Sequence, residues 1–193
     1  MSTVPHILAF AGSTRTDSFN KRLIKIAAAG ARAAGAEVTL IDLRDYPLPV
    51  YDGDLEEREG LPVNTRKLKD LFLAHQGLLI SAPEYNSSIT AVLKNTIDWV
   101  SRPVPGETAL NCFDGKVAAL MSASPGALGG LRGLVHVRAI LQNIRVLTIP
   151  EQVAVPNAAE AFAPNGSLKD AKQQTAVEAL GAKVAQILAR LRG

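Results

Sequence analysis

The stretch AFAGSTRTDSFNKRL, residues 9–23, joins an apolar run to a helical pattern through a polar loop. The loop carries short hydroxyl and amide side chains, namely Ser13, Thr14, Ser18 and Asn20. Gly12 permits a tight turn, and Arg15 adds a planar cation that suits two phosphate oxygens. A helix that begins near Phe19 directs free backbone N–H groups at the same point. The pattern predicts a phosphate-binding loop, and a capped helix beside a solvated arginine is the alternative interpretation.

Other phosphate-binding patterns are absent from the sequence. No G-x-x-x-x-G-K-[ST] occurs, so nucleoside triphosphate hydrolysis has no support. No G-x-G-x-x-G follows the first apolar run, which argues against a dinucleotide bound in the usual Rossmann manner. The loop therefore favours a phosphate ester on a smaller molecule.

Apolar runs and helical patterns alternate along the whole chain. Predicted strands cover residues 6–11, 37–42, 77–82, 116–122 and 145–149. Predicted helices cover residues 20–34, 63–74, 89–100, 129–143 and 177–191. Five strands joined by helices imply one α/β domain with a mostly parallel sheet covered on both faces. The segments 43–62, 101–115 and 156–167 are expected to be loops.

The composition of the chain limits the kinds of molecule with which it is expected to interact. The 193 residues are 47% hydrophobic and 20% charged with a net charge of +3, and the basic residues are scattered, so nucleic acid is not expected. The single cysteine, Cys112, excludes an intrachain disulfide and a multi-cysteine metal site and fits a cytoplasmic setting. No signal peptide, membrane helix or metal-ligand spacing is found, so we expect neither a membrane nor a metal partner.

A second informative segment, SAPEYNSSITAVLKNTIDWVSRP, occupies residues 81–103 after the third predicted strand. The two loops match the patterns G-S-x-R-x-x-S-x-N and P-E-Y-N-x-S-x-P-x-x-L-K-N-x-I-D-W. The matching residues are Gly12, Ser13, Arg15, Ser18, Asn20, Pro83, Glu84, Tyr85, Asn86, Ser88, Leu93, Lys94, Asn95, Ile97, Asp98 and Trp99. The chain thereby resembles the NADPH-dependent FMN reductases, which include quinone, chromate and azo-dye reductases. Thr90 stands where this family usually has proline, so we expect a looser start of the following helix.

The resemblance implies a flavodoxin-like three-layer sandwich over residues 1–193, with a five-stranded parallel sheet in the order 2-1-3-4-5. It implies FMN as cofactor, with the phosphate on the Ser13–Asn20 loop and the ring against Pro83, Glu84, Tyr85, Asn86 and Ser87. Hydride would pass from NADPH or NADH to flavin N5, and then to a quinone-like acceptor, chromate, a ferric chelate, an azo dye or free flavin. It also implies a homodimer or homotetramer, with contacts expected in residues 101–115 and 150–167.

The loop after the fourth predicted strand, SASPGALGGLRG, covers residues 122–133. Its glycines, Gly126 among them, permit close approach to a flat ring, and Ser122 and Ser124 are placed to reach the ring's pyrimidine edge. A flexible helix entry explains the glycines equally well. Arg132 projects either toward the site or toward a neighbouring subunit.

Several individual roles have two interpretations. Glu84 either is catalytic or shapes its loop or an interface, and Tyr85 either borders the ring or covers a subunit contact. Ser87 or Ser88 is expected to cap the next helix. His136 is expected on a packed helix face.

Two other functions compete with a reductase. A non-enzymatic electron carrier like flavodoxin usually has a threonine-rich phosphate loop without arginine and a strongly acidic surface. Arg15 and the net charge of +3 fit that class poorly. A flavin-binding sensor with little turnover is the remaining alternative.

Overall fold

The computed structural model describes residues 4–191. Its strands are β1 (His6–Ala11), β2 (Glu37–Asp42), β3 (Gly77–Ser81), β4 (Glu84–Tyr85), β5 (Ser88–Ile89), β6 (Val117–Ala123) and β7 (Leu147–Val155). Its helices are α1 (Phe19–Ala33), α2 (Gly53–Glu59), α3 (Val63–Ala74), α4 (Ala91–Val100), α5 (Leu131–Asn143), α6 (Ala158–Ala161) and α7 (Ala171–Leu191). Between residues 4 and 191, no helix combines the length and apolar character needed to cross a membrane.

The main sheet has five parallel strands in the order β2-β1-β3-β6-β7. Counted along the chain within this sheet, the order is 2-1-3-4-5, as predicted. Alternate residues of β1 face opposite sides: Ile7 packs toward α1 and α7, whereas Leu8 packs toward α3, α4 and α5. Both faces are thus covered, which explains why the central strands are continuous apolar runs. The predicted three-layer sandwich is confirmed.

The carboxyl ends of β1, β3 and β6 meet at one edge of the sheet. Ala11 is paired with Ser81, and Ser81 is paired with Met121. The chain order reverses between β1 and β3, and ligands of open α/β sheets bind in the crevice at such a point. The three loops that the sequence singled out therefore converge at this crevice.

Strand β7 is longer than its apolar pattern indicated. The predicted strand ended at Ile149, and the observed strand continues to Val155. Pro150 interrupts the pairing with β6, whose register shifts between Ala118 and Leu120. Proline lacks the N–H that a ladder requires, so it is tolerated only at an edge strand or a bulge. The Arg138 guanidinium holds the bulge by donating to the Ile149 carbonyl at 2.8 Å.

Short elements within three predicted loops were also missed. Helix α2 lies in the segment 43–62 and buries no residue, so it leaves no apolar periodicity to detect. Strands β4 and β5 form a hairpin whose turn residues, Asn86 and Ser87, both have positive φ, at 50° and 66°. This is the arrangement of a two-residue hairpin turn, for which Asn-Gly is the usual signal. Segment 156–167 contains α6.

Helices α1 and α7 cross with their backbones in direct contact. A Cβ on Gly30 would lie 2.1 Å from the Glu178 carbonyl oxygen, and a Cβ on Gly181 would lie 1.9 Å from the Ala27 carbonyl oxygen. These carbonyl oxygens belong to the backbone and cannot move aside as the end of a flexible side chain can. Any side chain at position 30 or 181 would therefore force the two helices apart.

We therefore expect Gly181→Ala to destabilise the protein, although alanine favours a helix interior by about 1 kcal/mol over glycine. Overpacking of this kind costs about 1–3 kcal/mol. Gly53→Ala is the matched control, because a Cβ there meets nothing closer than 3.9 Å. Urea unfolding of the two variants measures the difference, and a Gly181→Ala protein as stable as wild type would contradict the close crossing.

Candidate functional site

The side-chain amide of Asn20 connects the three loops. Its Nδ2 donates to the Ala123 carbonyl at 2.8 Å, and its Oδ1 accepts from the Ala123 N–H at 3.0 Å and from the Ser81 hydroxyl at 2.8 Å. The residue is 3% exposed. The amide thus joins the first turn of α1 to the ends of β3 and β6. The sequence predicted Asn20 as a cofactor ligand, but the structure gives its side chain a bracing role.

The phosphate-loop residues beside Asn20 leave several donors without partners. Ser18 is the N-cap of α1, yet its hydroxyl makes no capping bond. The backbone N–H groups of Phe19 and Asn20 donate to no acceptor within residues 4–191. The Arg15 side chain is exposed and forms no ion pair with any described residue. Free N–H groups at a helix start, an idle hydroxyl and a guanidinium together constitute an anion-binding set.

Two contacts that sequence reasoning missed hold the phosphate loop in place. The buried Thr90 hydroxyl donates to the Gly12 carbonyl at 2.7 Å and accepts from the Leu93 N–H at 3.3 Å. The Arg44 Nε donates to the Thr14 carbonyl at 2.8 Å. Thr90 is therefore the cap of α4, so the prediction that Ser87 or Ser88 caps it is wrong. The expected loosening of this helix start is also wrong, because the hydroxyl supplies a cap that proline lacks.

Glu84 joins the β4–β5 hairpin to the start of α5. Its carboxylate accepts from Arg132 Nε at 2.9 Å and from the Gly133 N–H at 3.0 Å, and its side chain is 8% exposed. Burial raises the pKa of Glu84, but the hydrogen bonds from Gly133 and Arg132 outweigh it and hold the pKa below its usual value. A carboxylate engaged in this way shapes the loop and is not available as an acid or base.

The third loop enters α5 through two glycines in the left-handed region. Gly129 and Gly130 have φ values of 61° and 91°. A Cβ on Gly129 would lie 2.7 Å from the Val155 backbone, and one on Gly130 would lie 2.0 Å from the Ser122 hydroxyl oxygen. Ser122 is fully buried beneath Gly130, and its hydroxyl has no partner among the described residues. This position does not favour the predicted direct contact between Ser122 and a bound ring.

Most of the predicted site residues surround one depression of about 60 Å³. Those that line it are Ser13, Arg15, Ser18, Phe19, Asn20, Pro83, Glu84, Tyr85 and Ser124, joined by Ala123 and Pro125. Thr14, Asn86, Ser87, Ser122 and Gly126 lie outside the lining. Small-molecule pockets are usually about 300–1,000 Å³, so the depression suits a phosphate group. A flavin ring would lie above it, against the hairpin and the third loop.

Residues 5–160 match the model of the family described as NADPH-dependent FMN reductase. The chain belongs to this family. It is 34% identical to an NAD(P)H-dependent FMN reductase of Pseudomonas aeruginosa, with all of both chains covered. It is also 34% identical to a quinone reductase of Pseudomonas putida over 88% of each chain.

Solved structures agree with this membership. FerB, a flavoenzyme NAD(P)H:(acceptor) oxidoreductase of Paracoccus denitrificans, superposes with a TM-score of 0.80 at 28% identity over 98% of this chain and 100% of that one. The predicted cofactor, FMN, and the predicted donor, NAD(P)H, are those of the family. An electron carrier is not favoured, because the curated relatives are reductases.

One further prediction is wrong. His136 is exposed on α5 and its ring Nδ1 lies 2.9 Å from the Ser88 hydroxyl oxygen, so it does not occupy a packed face. The helical pattern failed because α5 packs on the sheet through Leu134, Val137 and Leu141, which leaves position 136 toward the hairpin.

Replacing Thr90 by valine tests its role in the phosphate loop. Valine has the shape of threonine but lacks the hydroxyl and therefore both hydrogen bonds. We expect the free energy of unfolding to fall by about 1–2 kcal/mol and the Kd for FMN to rise several-fold. Thr90→Ser, which keeps the hydroxyl, should retain most of the affinity. Titration of the apoprotein with FMN measures this, and equal affinities for valine and serine variants would contradict the role.

Glu84→Gln tests the pH dependence of the hairpin anchor. Because the folded-state pKa of Glu84 is depressed, its stabilising contribution is present above the unfolded pKa and is lost as the pH falls through the folded pKa. We expect the variant to be about 1–2 kcal/mol less stable near pH 7. The difference should shrink below the ordinary glutamate pKa of 4.5. Urea unfolding at several pH values measures it, and a constant difference down to acidic pH would contradict the assignment.

Proposed function

We propose that the chain is one FMN-binding domain that catalyses reduction of a quinone-like acceptor by NAD(P)H. The observation that carries the proposal is the unpartnered donor set at the start of α1, in the crevice where the sheet order reverses. A helix N-terminus together with an unpaired arginine suits the phosphate of FMN. The family match supports the same cofactor.

The phosphate would be held by the Ser13 and Ser18 hydroxyls, the N–H groups of Phe19 and Asn20, and the Arg15 guanidinium. The one carboxylate of this loop, Asp17, borders a different cavity together with Lys21 and Asp42. The carboxylate that does line the depression, Glu84, is ion-paired with Arg132. The Thr14 carbonyl helps to hold this loop in place, because it accepts a hydrogen bond from Arg44.

The ring would lie against the hairpin Pro83–Ser87 and the third loop around Ser124 and Gly126. Pro83 is buried and anchors the hairpin, whereas Tyr85 is 56% exposed and offers an aromatic surface. The Ser124 hydroxyl accepts from the Gly126 N–H at 3.3 Å, which keeps the loop compact. Ser122 supports this loop from below, beneath Gly130.

We infer that the residues lining the site position the reactants, because its carboxylate, Glu84, is engaged by Arg132 and Gly133. FMN held by these residues would supply the redox chemistry, which is hydride transfer from NAD(P)H and reduction of a second substrate. The ion-paired Glu84 holds the wall of the site in one conformation. An exposed site of this kind admits donor and acceptor in turn. The names of the curated relatives, a quinone reductase among them, support a quinone as acceptor.

We also propose a cytoplasmic homo-oligomer, of which a homodimer is the smallest form. The depression encloses little of a flavin, and large apolar side chains are exposed on its lining, on the third loop and on α5: Tyr85, Leu128, Leu131 and Val135. A second subunit over these residues would cover the ring. This differs from the expected contact regions, 101–115 and 150–167. A monomer by light scattering of the FMN-loaded protein would contradict the proposal.

An absorbance spectrum of the purified protein under anaerobic conditions tests the activity. We expect flavin bands that bleach with NADPH or NADH and return on addition of a quinone. Bands that resist both nucleotides would instead indicate a carrier or sensor. No flavin bands, even after FMN is added, would overturn the assignment of the phosphate loop.

Arg15→Ala should weaken FMN binding, because it removes the one cation that lines the depression without a carboxylate partner. A hydrogen bond to a charged group contributes about 1.5–3 kcal/mol, which corresponds to a rise in Kd of roughly 10-fold to 100-fold. Arg58→Ala, on the distant helix α2, is the control for loss of charge. Equal FMN dissociation constants for wild type and Arg15→Ala would exclude the role.

A further inference from the structure

An open groove of about 740 Å³ lies between α1 and the segment 162–169. Its apolar lining residues are Ile26, Ala29, Phe162 and Pro164, of which Ala29 and Pro164 are exposed, and its basic lining residues are Arg22, Lys25 and Lys169. A volume of this size falls within the usual range for small-molecule sites, about 300–1,000 Å³. The groove is separate from the depression at the phosphate loop.

The charge of the groove is one-sided. Among the described residues, Arg22, Lys25 and Lys169 line it and no carboxylate does. Arg22 and Lys25 also border the neighbouring cavity that contains Asp17 and Asp42, but they form no ion pair there. None of the three cations forms an ion pair with a described residue. The neighbouring carboxylate of Asp170 is engaged instead at the start of α7, where it accepts from the Lys172 N–H at 2.8 Å. Three unpaired cations around an apolar wall favour a ligand with both an anionic group and a flat apolar part.

Two aromatic rings connect the groove to the flavin site. Phe19 lines the phosphate depression, and Phe162 lines the groove. The rings are stacked, with centroids 6.2 Å apart and planes 7° from parallel. The Arg22 guanidinium lies over the Phe19 ring, 5.9 Å from its centroid. The groove therefore begins where the phosphate loop ends, on the far side of this pair of rings.

We propose that this groove binds the 2′-phosphoadenosine end of NADPH. The inference rests on the proposed function, which requires a nicotinamide dinucleotide beside the flavin. The sequence has no Gly-rich dinucleotide fingerprint to hold the second half of this donor. The basic lining residues suit its 2′-phosphate, and the apolar lining residues suit its adenine. Lys25 and Lys169 are then the residues that favour NADPH over NADH.

The test is a Lys25→Ala/Lys169→Ala double variant of the FMN-loaded enzyme. Both side chains are exposed, so folding should be unaffected. We expect the KM for NADPH to rise about tenfold or more, with kcat and the KM for NADH little changed. Calorimetric titration with adenosine 2′,5′-bisphosphate, which lacks nicotinamide, should show binding to wild type. The Kd of the double variant for this compound should be at least about tenfold higher.

Lys67→Ala is the matched control, because it removes one positive charge from the opposite face of the sheet. It should leave both measurements unchanged. Equal KM values for NADPH in wild type and the double variant would overturn the inference, as would displacement of adenosine 2′,5′-bisphosphate by an equal concentration of inorganic phosphate. Failure of the proposed function is distinguishable, since it would appear as a wild-type flavin that neither nucleotide reduces.

Discussion

The amide of Asn20 is the constraint on which the site depends. Its two atoms bond the N–H and the carbonyl of Ala123, as a neighbouring strand would, and also the hydroxyl of Ser81. Three parallel strands that end at one edge leave polar backbone groups there, and such groups must find partners when buried. The Asn20 amide provides them for Ala123, and the Gly12 N–H donates to the Ser81 carbonyl at 2.9 Å, so the starts of the three loops are held together.

Rigid support around the crevice coexists with unpaired donors inside it. Thr90, Arg44 and the Glu84–Arg132 pair each fix one loop from outside. Within residues 4–191, the Ser18 hydroxyl and the N–H groups of Phe19 and Asn20 have no acceptor. A protein that had only to be stable would cap this helix with its own serine. This combination of an unmade cap and fixed surroundings is what the proposed phosphate site requires, because a preorganised loop lowers the cost of binding.

Residue types at the site were predictable, whereas their roles were less so. The order of Gly12, Ser13, Arg15 and Ser18 before a helix indicated an anion site. Among residues 4–191, the structure leaves the Ser18 hydroxyl without a capping bond and the Arg15 guanidinium without an ion pair. Asn20 and Glu84 were identified from the two loop motifs. Their side chains, however, form hydrogen bonds with residues distant in sequence and hold neighbouring segments together. The deviation at Thr90 suggested a weakness, yet its hydroxyl reaches Gly12 across 78 residues of chain. The sequence around Thr90 cannot predict a hydrogen-bond partner that is so distant along the chain.

The sequence by itself determined the α/β layering, the parallel sheet and the position of the phosphate loop, because these follow from hydrophobic periodicity and from turn and helix-start chemistry, which are local. The resemblance to the reductase family added the strand order and the cofactor. Only the tertiary structure decided which polar groups stay unpaired. It also decided the extension of β7 past Pro150, the hairpin at Asn86 and Ser87, and the basic groove beside Phe162. These features depend on which distant segments are brought into contact, and packing alone selects those partners.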